Sequence, residues 1–142
     1  MVEIKKYVVG FLFNGDDVLL LHKSTPVWQR GKINGVGGKI EPGETPHDAM
    51  VREFREETTL HIPLWQRVAE LNTPTSIIYF FKAHYEGEKP IVQGLEEEPV
   101  EWFDRHCLPH NVVGNLRWVV PMAFHKVVDK AYTVTVGPPY DD

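Results

Sequence analysis

The chain contains a single cysteine, Cys107. An internal disulfide is therefore excluded, and Cys107 is expected as a small buried or half-buried side chain. No apolar run approaches the roughly 18 residues of a membrane helix. The opening segment, MVEIKKYVVGFLF, is charged early and lacks the pattern of a secretory leader. The expectation is a cytoplasmic chain with no membrane partner. Positive charge is not in excess either. The formal net charge is −5, so the chain as a whole does not attract nucleic acid, and no nucleic-acid partner is expected. The seven histidines include no pair at zinc-ligand spacing backed by cysteine, so no zinc is assigned.

What is present suits one domain over residues 1–142 with a sizeable core, as monomer or homodimer. Residues 5–13 and 17–23 read as strands joined at Asn14-Gly15, where positive φ is cheap. Residues 24–38 carry proline and four glycines and read as a loop with a short strand near its end. Residues 45–58 read as the clearest helix, with Thr45 as N-cap, Pro46 in the first position and Asp48 at the capping-box position. Residues 64–72, 76–85 and 99–103 read as strands, and 116–130 as a second helix whose start Pro121 restricts. Residues 133–142 read as a flexible tail. Strands and helices alternate irregularly, which suggests a mixed sheet with helices on its faces.

The first helix contradicts its own dipole. At about 100° per residue, Glu53, Glu56 and Glu57 share one face, flanked by Met50 and Phe54. They border the core, and they sit in the last turns, where an anion is disfavoured by roughly 0.3–1 kcal/mol. Glu53 and Glu57 also form an i,i+4 like-charge pair. A solvated acidic face explains neither feature. A divalent hard cation explains both, because Mg²⁺ takes oxygen ligands and is commonly shared with substrate phosphates. Arg52 on the flank is read as structural, its guanidinium fork pairing with Glu44.

The segment from Gly38 to Leu60 resembles the Nudix box, G-x5-E-x7-R-E-U-x-E-E-x-G-U, where U is a bulky apolar residue. Gly38, Glu44, Arg52, Glu53, Phe54, Glu56, Glu57 and Leu60 stand at the pattern's spacing. Thr59 departs from it, standing where the pattern has a helix-ending glycine. The resemblance implies an α/β fold, a Nudix-type α/β/α sandwich around a mixed β-sheet. It implies Mg²⁺-dependent hydrolysis, Mn²⁺ substituting, of a nucleoside diphosphate linked to a further group. It also implies metal ligation by Glu53, Glu56 and Glu57, with the Gly37 carbonyl as an added ligand.

Residues 31–44 are similar to the MutT-like and oxidised purine nucleoside triphosphatase subgroup, which implies a small nucleotide substrate such as 8-oxo-dGTP. In that subgroup an asparagine at the place of Asn34 bonds the base; its other reading is a cap for the Gly-rich turn. Asn115 stands where the subgroup has a base-reading acid, which weakens strict selection of 8-oxoguanine. Trp118 either lines the base pocket or is core, and the same choice holds for Trp28, Phe11 and Phe81. Lys23 and Lys39 are the candidates to reach phosphates. Family members also bring a further acid to the site, sometimes as general base. Glu96, Glu97 and Glu98 all qualify here, and Glu98 is chosen. The alternatives are ADP-ribose, a nucleotide sugar or a pyrimidine triphosphate as substrate, or a nucleotide-binding domain without catalysis.

Overall fold

The structure is a computed structural model and describes residues 3–125 and 131–137. An eight-stranded mixed sheet runs β3-β2-β1-β6-β5-β8, with β4 paired to β1 and β7 to β2. The strands are β1 (Lys5–Asn14), β2 (Asp17–His22), β3 (Ile33–Asn34), β4 (Val36–Lys39), β5 (Gln66–Asn72), β6 (Ser76–His84), β7 (Val100–Asp104) and β8 (Tyr132–Thr135). Helix α1 (Pro46–Thr58) covers one face and α2 (Leu116–His125) the other. The β1–β6 and β5–β8 pairings are parallel and the rest antiparallel. The architecture is a mixed sheet between helices, as the residue pattern suggests. No helix among the described residues is long and apolar enough to cross a membrane.

The period of two along a strand builds two cores. On the α1 face Val8, Leu12, Leu19 and Leu21 pack with Met50, Phe54, Trp65 and Phe81. On the α2 face Phe11, Phe13, Val18 and Leu20 pack with Phe80, Leu116, Val119 and Val120. Phe11 and Phe81 are thus both core residues. The α1 layer lies very close at Gly10, where any side chain would collide with the Met50 thioether. Phe54 and Trp65 meet edge to face at 4.9 Å, which seats the middle of α1 on the sheet.

Three expectations need correction. Residues 133–135 are not tail: Tyr132–Thr135 pairs with β5, Ala69 opposite Tyr132. Residues 138–142 lie outside the described residues, as do 126–130 of the expected second helix. Pro121 sits inside α2 rather than at its start. The helix instead opens on turns bonded to Val113, Gly114 and Asn115 carbonyls. Cys107 is exposed, in the turn after β7, where its N–H donates to the Asp104 carbonyl.

Candidate active site

Helix α1 begins as its sequence dictates. The Thr45 hydroxyl accepts from the Asp48 N–H at 3.1 Å, and Pro46 occupies the first position, where no N–H is missed. It ends at Thr59, the only non-glycine residue with positive φ among those described (φ 66°), whose N–H donates to the Arg55 carbonyl. A β-branched residue is strained there, so the helix keeps the glycine-type ending without the glycine.

The acids lie on the last turns. Arg52 organises them by clamping Glu44 with two parallel bonds, Nε to Oε2 at 2.6 Å and Nη2 to Oε1 at 2.9 Å. Nη1 reaches Glu53 at 2.7 Å and Glu56 at 3.3 Å, and Nη2 also donates to the Lys39 carbonyl. Glu44 in turn accepts from the Glu41 N–H. One guanidinium thus joins the loop before α1, the end of β4 and the helix. Its hydrogen bonds hold the Glu44 carboxyl below its ordinary range. Gly38 leaves room beside it, because a methyl group there would fall on the Glu53 carboxylate and displace it.

Glu53 and Glu57 are largely buried, and desolvation raises both; Glu57 is pushed up to about 7. The Lys23 charge opposes that rise for Glu57, while Glu98, Glu53 and Glu56 add to it. Glu57 Oε2 is buried with no hydrogen-bond partner among the described residues. Such an atom costs about 1–3 kcal/mol or more unless something binds it. Glu56 is more open, its side chain 59% exposed. Among the described residues no three acidic, imidazole or thiol groups converge on one point as they stand. Arg52 draws Glu53 and Glu56 toward itself, and Glu57 is left alone. The donor set still fits a hard divalent cation: carboxylate oxygens, one of them buried and unpaired, at a helix end whose dipole repels them.

A cleft of about 1180 Å³ opens beside this group. Its floor alternates along two paired strands, Tyr7 and Val9 of β1 level with Ile78 and Phe80 of β6. Lys23, Trp28, Gln29, Asn34 and Asn115 wall one side; Gly37, Gly38 and Lys39 form the rim next to Glu53. Asn34 is held at both ends of its amide: Oδ1 accepts from the Gly35 N–H at 2.7 Å, and Nδ2 donates to Gln29 at 3.3 Å. Trp28 is 57% exposed on the wall. Trp118 stands outside the lining, with its ring edge on Phe80. Glu98 lies past the end of β2, its Oε2 accepting from Ser24 and Thr25. Glu96 and Glu97 are exposed.

Residues 4–121 match the model of the NUDIX domain. The chain belongs to the Nudix family. It is 32% identical over 109 residues to the NAD-capped RNA hydrolase NudC of Pseudomonas fluorescens, and likewise to that of Pseudomonas putida. The match takes in 75% of this chain, which spans 39% of the length of those relatives. A Nudix hydrolase from Nitrosomonas europaea has the same fold with a TM-score of 0.74 at 17% identity, over 96% of this chain and 81% of that one. A MutT protein from Bacillus halodurans has a TM-score of 0.72 at 23% identity, over 97% and 94%.

Read as a Nudix domain, the chain carries its box on the loop and helix just described. The floor residues Tyr7, Val9, Ile78 and Phe80, and the wall residue Gln29, had no motif to announce them. Their only sequence signal is the alternation along two strands, which marks a face but not which part of it stays open.

Proposed function

We propose that the chain is a divalent-metal-dependent pyrophosphohydrolase of nucleoside diphosphate derivatives. Its preferred substrate class is the purine nucleoside triphosphate, oxidised purines included, cleaved to nucleoside monophosphate and pyrophosphate. The observation that carries this reading is the unpaired, buried Glu57 oxygen at the acidic helix end, beside a cleft with an apolar floor. Glu53, Glu56 and Glu57, with the Gly37 carbonyl, would hold the cation, Mg²⁺ or Mn²⁺. When bound, it supplies positive charge to the diphosphate and lowers the pKa of a coordinated water.

The chain's own residues do the rest. Tyr7, Val9, Ile78 and Phe80 take the flat face of a base and exclude water from it. The Asn34 and Asn115 amides line the cleft and, since an amide both donates and accepts, could meet a purine edge. Lys23 and Lys39 line the cleft on the side of the acids and would meet the phosphates of a bound nucleotide. Arg52 pairs with both Glu53 and Glu56 and ties them to Glu44 in the loop before α1. Among the described residues no cysteine or serine–histidine pair adjoins the acids, and Lys23 beside them is engaged with Glu98, which favours water as the nucleophile.

A second reading rests on one observation, the 32% identity to proteins named NAD-capped RNA hydrolases. It makes the substrate a dinucleotide pyrophosphate, free or at an RNA end. A panel of purine and pyrimidine triphosphates, NAD, ADP-ribose and NAD-capped RNA, with Mg²⁺, separates the two. Pyrophosphate release fastest from purine triphosphates supports the first reading. Faster cleavage of NAD or NAD-capped RNA to two monophosphates replaces it with the second.

A further inference from the structure

Glu98 is bound more tightly to the loop that forms the cleft wall than a free acid of the site would be. A single oxygen, Oε2, accepts the Ser24 N–H at 2.8 Å, the Ser24 hydroxyl at 3.2 Å and the Thr25 N–H at 3.2 Å. Lys23 Nζ stands 3.7 Å from the same atom. The side chain is 13% exposed. Two successive backbone N–H groups pointing at one carboxylate oxygen form an anion-binding turn, and charge makes such bonds shorter and stronger than neutral ones.

The backbone shows why it is Glu98 rather than Glu96 or Glu97. Gly94 has φ +75°, and a side chain there would strike the Glu98 carbonyl and the Val100 N–H. The Glu98 N–H donates to Leu95, and Val100 to Gln93, closing a tight turn just before β7. β7 pairs with β2, Val100 opposite Leu21, and the His22 N–H adds one more bond to the Pro99 carbonyl. The turn therefore delivers Glu98 to the place where the chain leaves β2.

The loop leaving β2 there is a closed unit. Lys23 N–H donates to Lys32, Gly31 N–H to Lys23, and Arg30 Nε to the Ser24 carbonyl. Lys23, Thr25, Pro26, Trp28 and Gln29 are its contribution to the cleft, and Gln29 accepts from Asn34. A hold on Ser24 and Thr25 thus fixes the wall at both ends: Lys23 toward the acids and Gln29–Asn34 toward the base.

We propose that Glu98 is a positioning residue, a latch that pins the loop of residues 23–32 and so sets the substrate-selecting wall rather than joining the chemical step. The proposal deepens the nucleotide-hydrolase reading and rests on it for its kinetic arm. Glu98→Ala should raise KM about ten- to a hundredfold, the loss expected for charged hydrogen bonds, with kcat falling less than about fivefold. Glu98→Gln, which keeps an acceptor oxygen, should recover part of that loss and guards against a misfolded alanine variant. The second arm needs no substrate. Amide hydrogen exchange at Ser24 and Thr25 should quicken at least about tenfold in Glu98→Ala, while the amides of β1 and α1 keep their protection. A kcat loss above about a hundredfold at unchanged KM, or exchange at Ser24 and Thr25 equal to wild type, overturns the latch. If the wild type hydrolyses no nucleotide but the two amides lose protection as described, the latch stands and the substrate reading falls.

Discussion

Single residues carry the argument at its sharpest in Glu57. Unfolded, its carboxyl titrates near the ordinary 4.5; folded, burial lifts it to about 7. Between those values the native state keeps a proton that the unfolded chain has lost. Metal-free stability therefore falls as pH rises from 4.5 toward 7, and the full penalty stands above 7. After allowing for partial exposure the penalty is on the order of 1–3 kcal/mol. Glu57→Gln should accordingly raise metal-free stability by about that amount at about pH 8 and leave it unchanged at about pH 4, checked by denaturant unfolding at both. The same variant should lose at least about a hundredfold in turnover with saturating Mg²⁺. A variant no more stable at high pH than wild type would show that Glu57 is not desolvated. The spacing of the box made Glu53, Glu56 and Glu57 legible as one acidic face. Which of them is buried was not legible, because that depends on how β4 packs against the helix, Gly38 lying on Glu53. Nor did three consecutive glutamates reveal which one faces inward; the turn at Gly94 decides that.

Among the elements, α1 could be read almost to the residue because its signals are local: a cap, a proline and an apolar stripe. Its ending could not. A threonine in place of glycine leaves two possibilities, strain or a different terminus, and the chain adopts the strain. Thr59→Gly should then stabilise the protein by about 0.5–1 kcal/mol. That is the relief of the left-handed penalty less the extra entropy that glycine loses on folding. A higher denaturant midpoint at unchanged slope is the expected reading, and an unchanged or lower midpoint would mean the threonine is not strained. Gly38→Ala tests the packing of strand on helix. Its methyl group would displace the Glu53 carboxylate, so Mn²⁺ affinity should drop at least about tenfold, by titration calorimetry, while helix content is retained. Strand β8 escaped the sequence for the opposite reason. It is four residues long, and its partner β5 lies some 60 positions earlier, so no local pattern marks it. Pro121 was misplaced because a proline normally reads as a boundary, whereas here it sits inside a helix whose apolar face holds it on the sheet.

For the molecule as a whole, the strand pairing places the chemistry. β4 lies against β1 with Gly38 opposite Val8, while β6 lies along the other edge of β1. Acids from one face of the sheet and a nucleotide-sized cleft on the other meet at that glycine rim. The irregular alternation of strands and helices suggested a sheet with helices on its faces, and the structure has one on each. The cleft itself was invisible in sequence, since it arises where Val113 and Asn115, just before α2, and the loop of residues 23–32 meet the strands. Base selection belongs to this scale. If Asn34 reads a purine, Asn34→Ala should raise KM for purine triphosphates about tenfold or more over pyrimidine ones, the range for a base edge left unpaired. An equal loss for every base would assign Asn34 to its turn with Gly35. Cation dependence is equally global: Mg²⁺ affinity should rise with pH through about 7, as binding displaces the proton held by Glu57. The most direct test is the fate of water oxygen when a purine nucleoside triphosphate is hydrolysed with Mg²⁺ in ¹⁸O-labelled water. One labelled oxygen is expected in the nucleoside monophosphate or in pyrophosphate, and no turnover in excess EDTA. Release of orthophosphate, or hydrolysis undiminished by EDTA, would contradict metal-dependent pyrophosphohydrolysis.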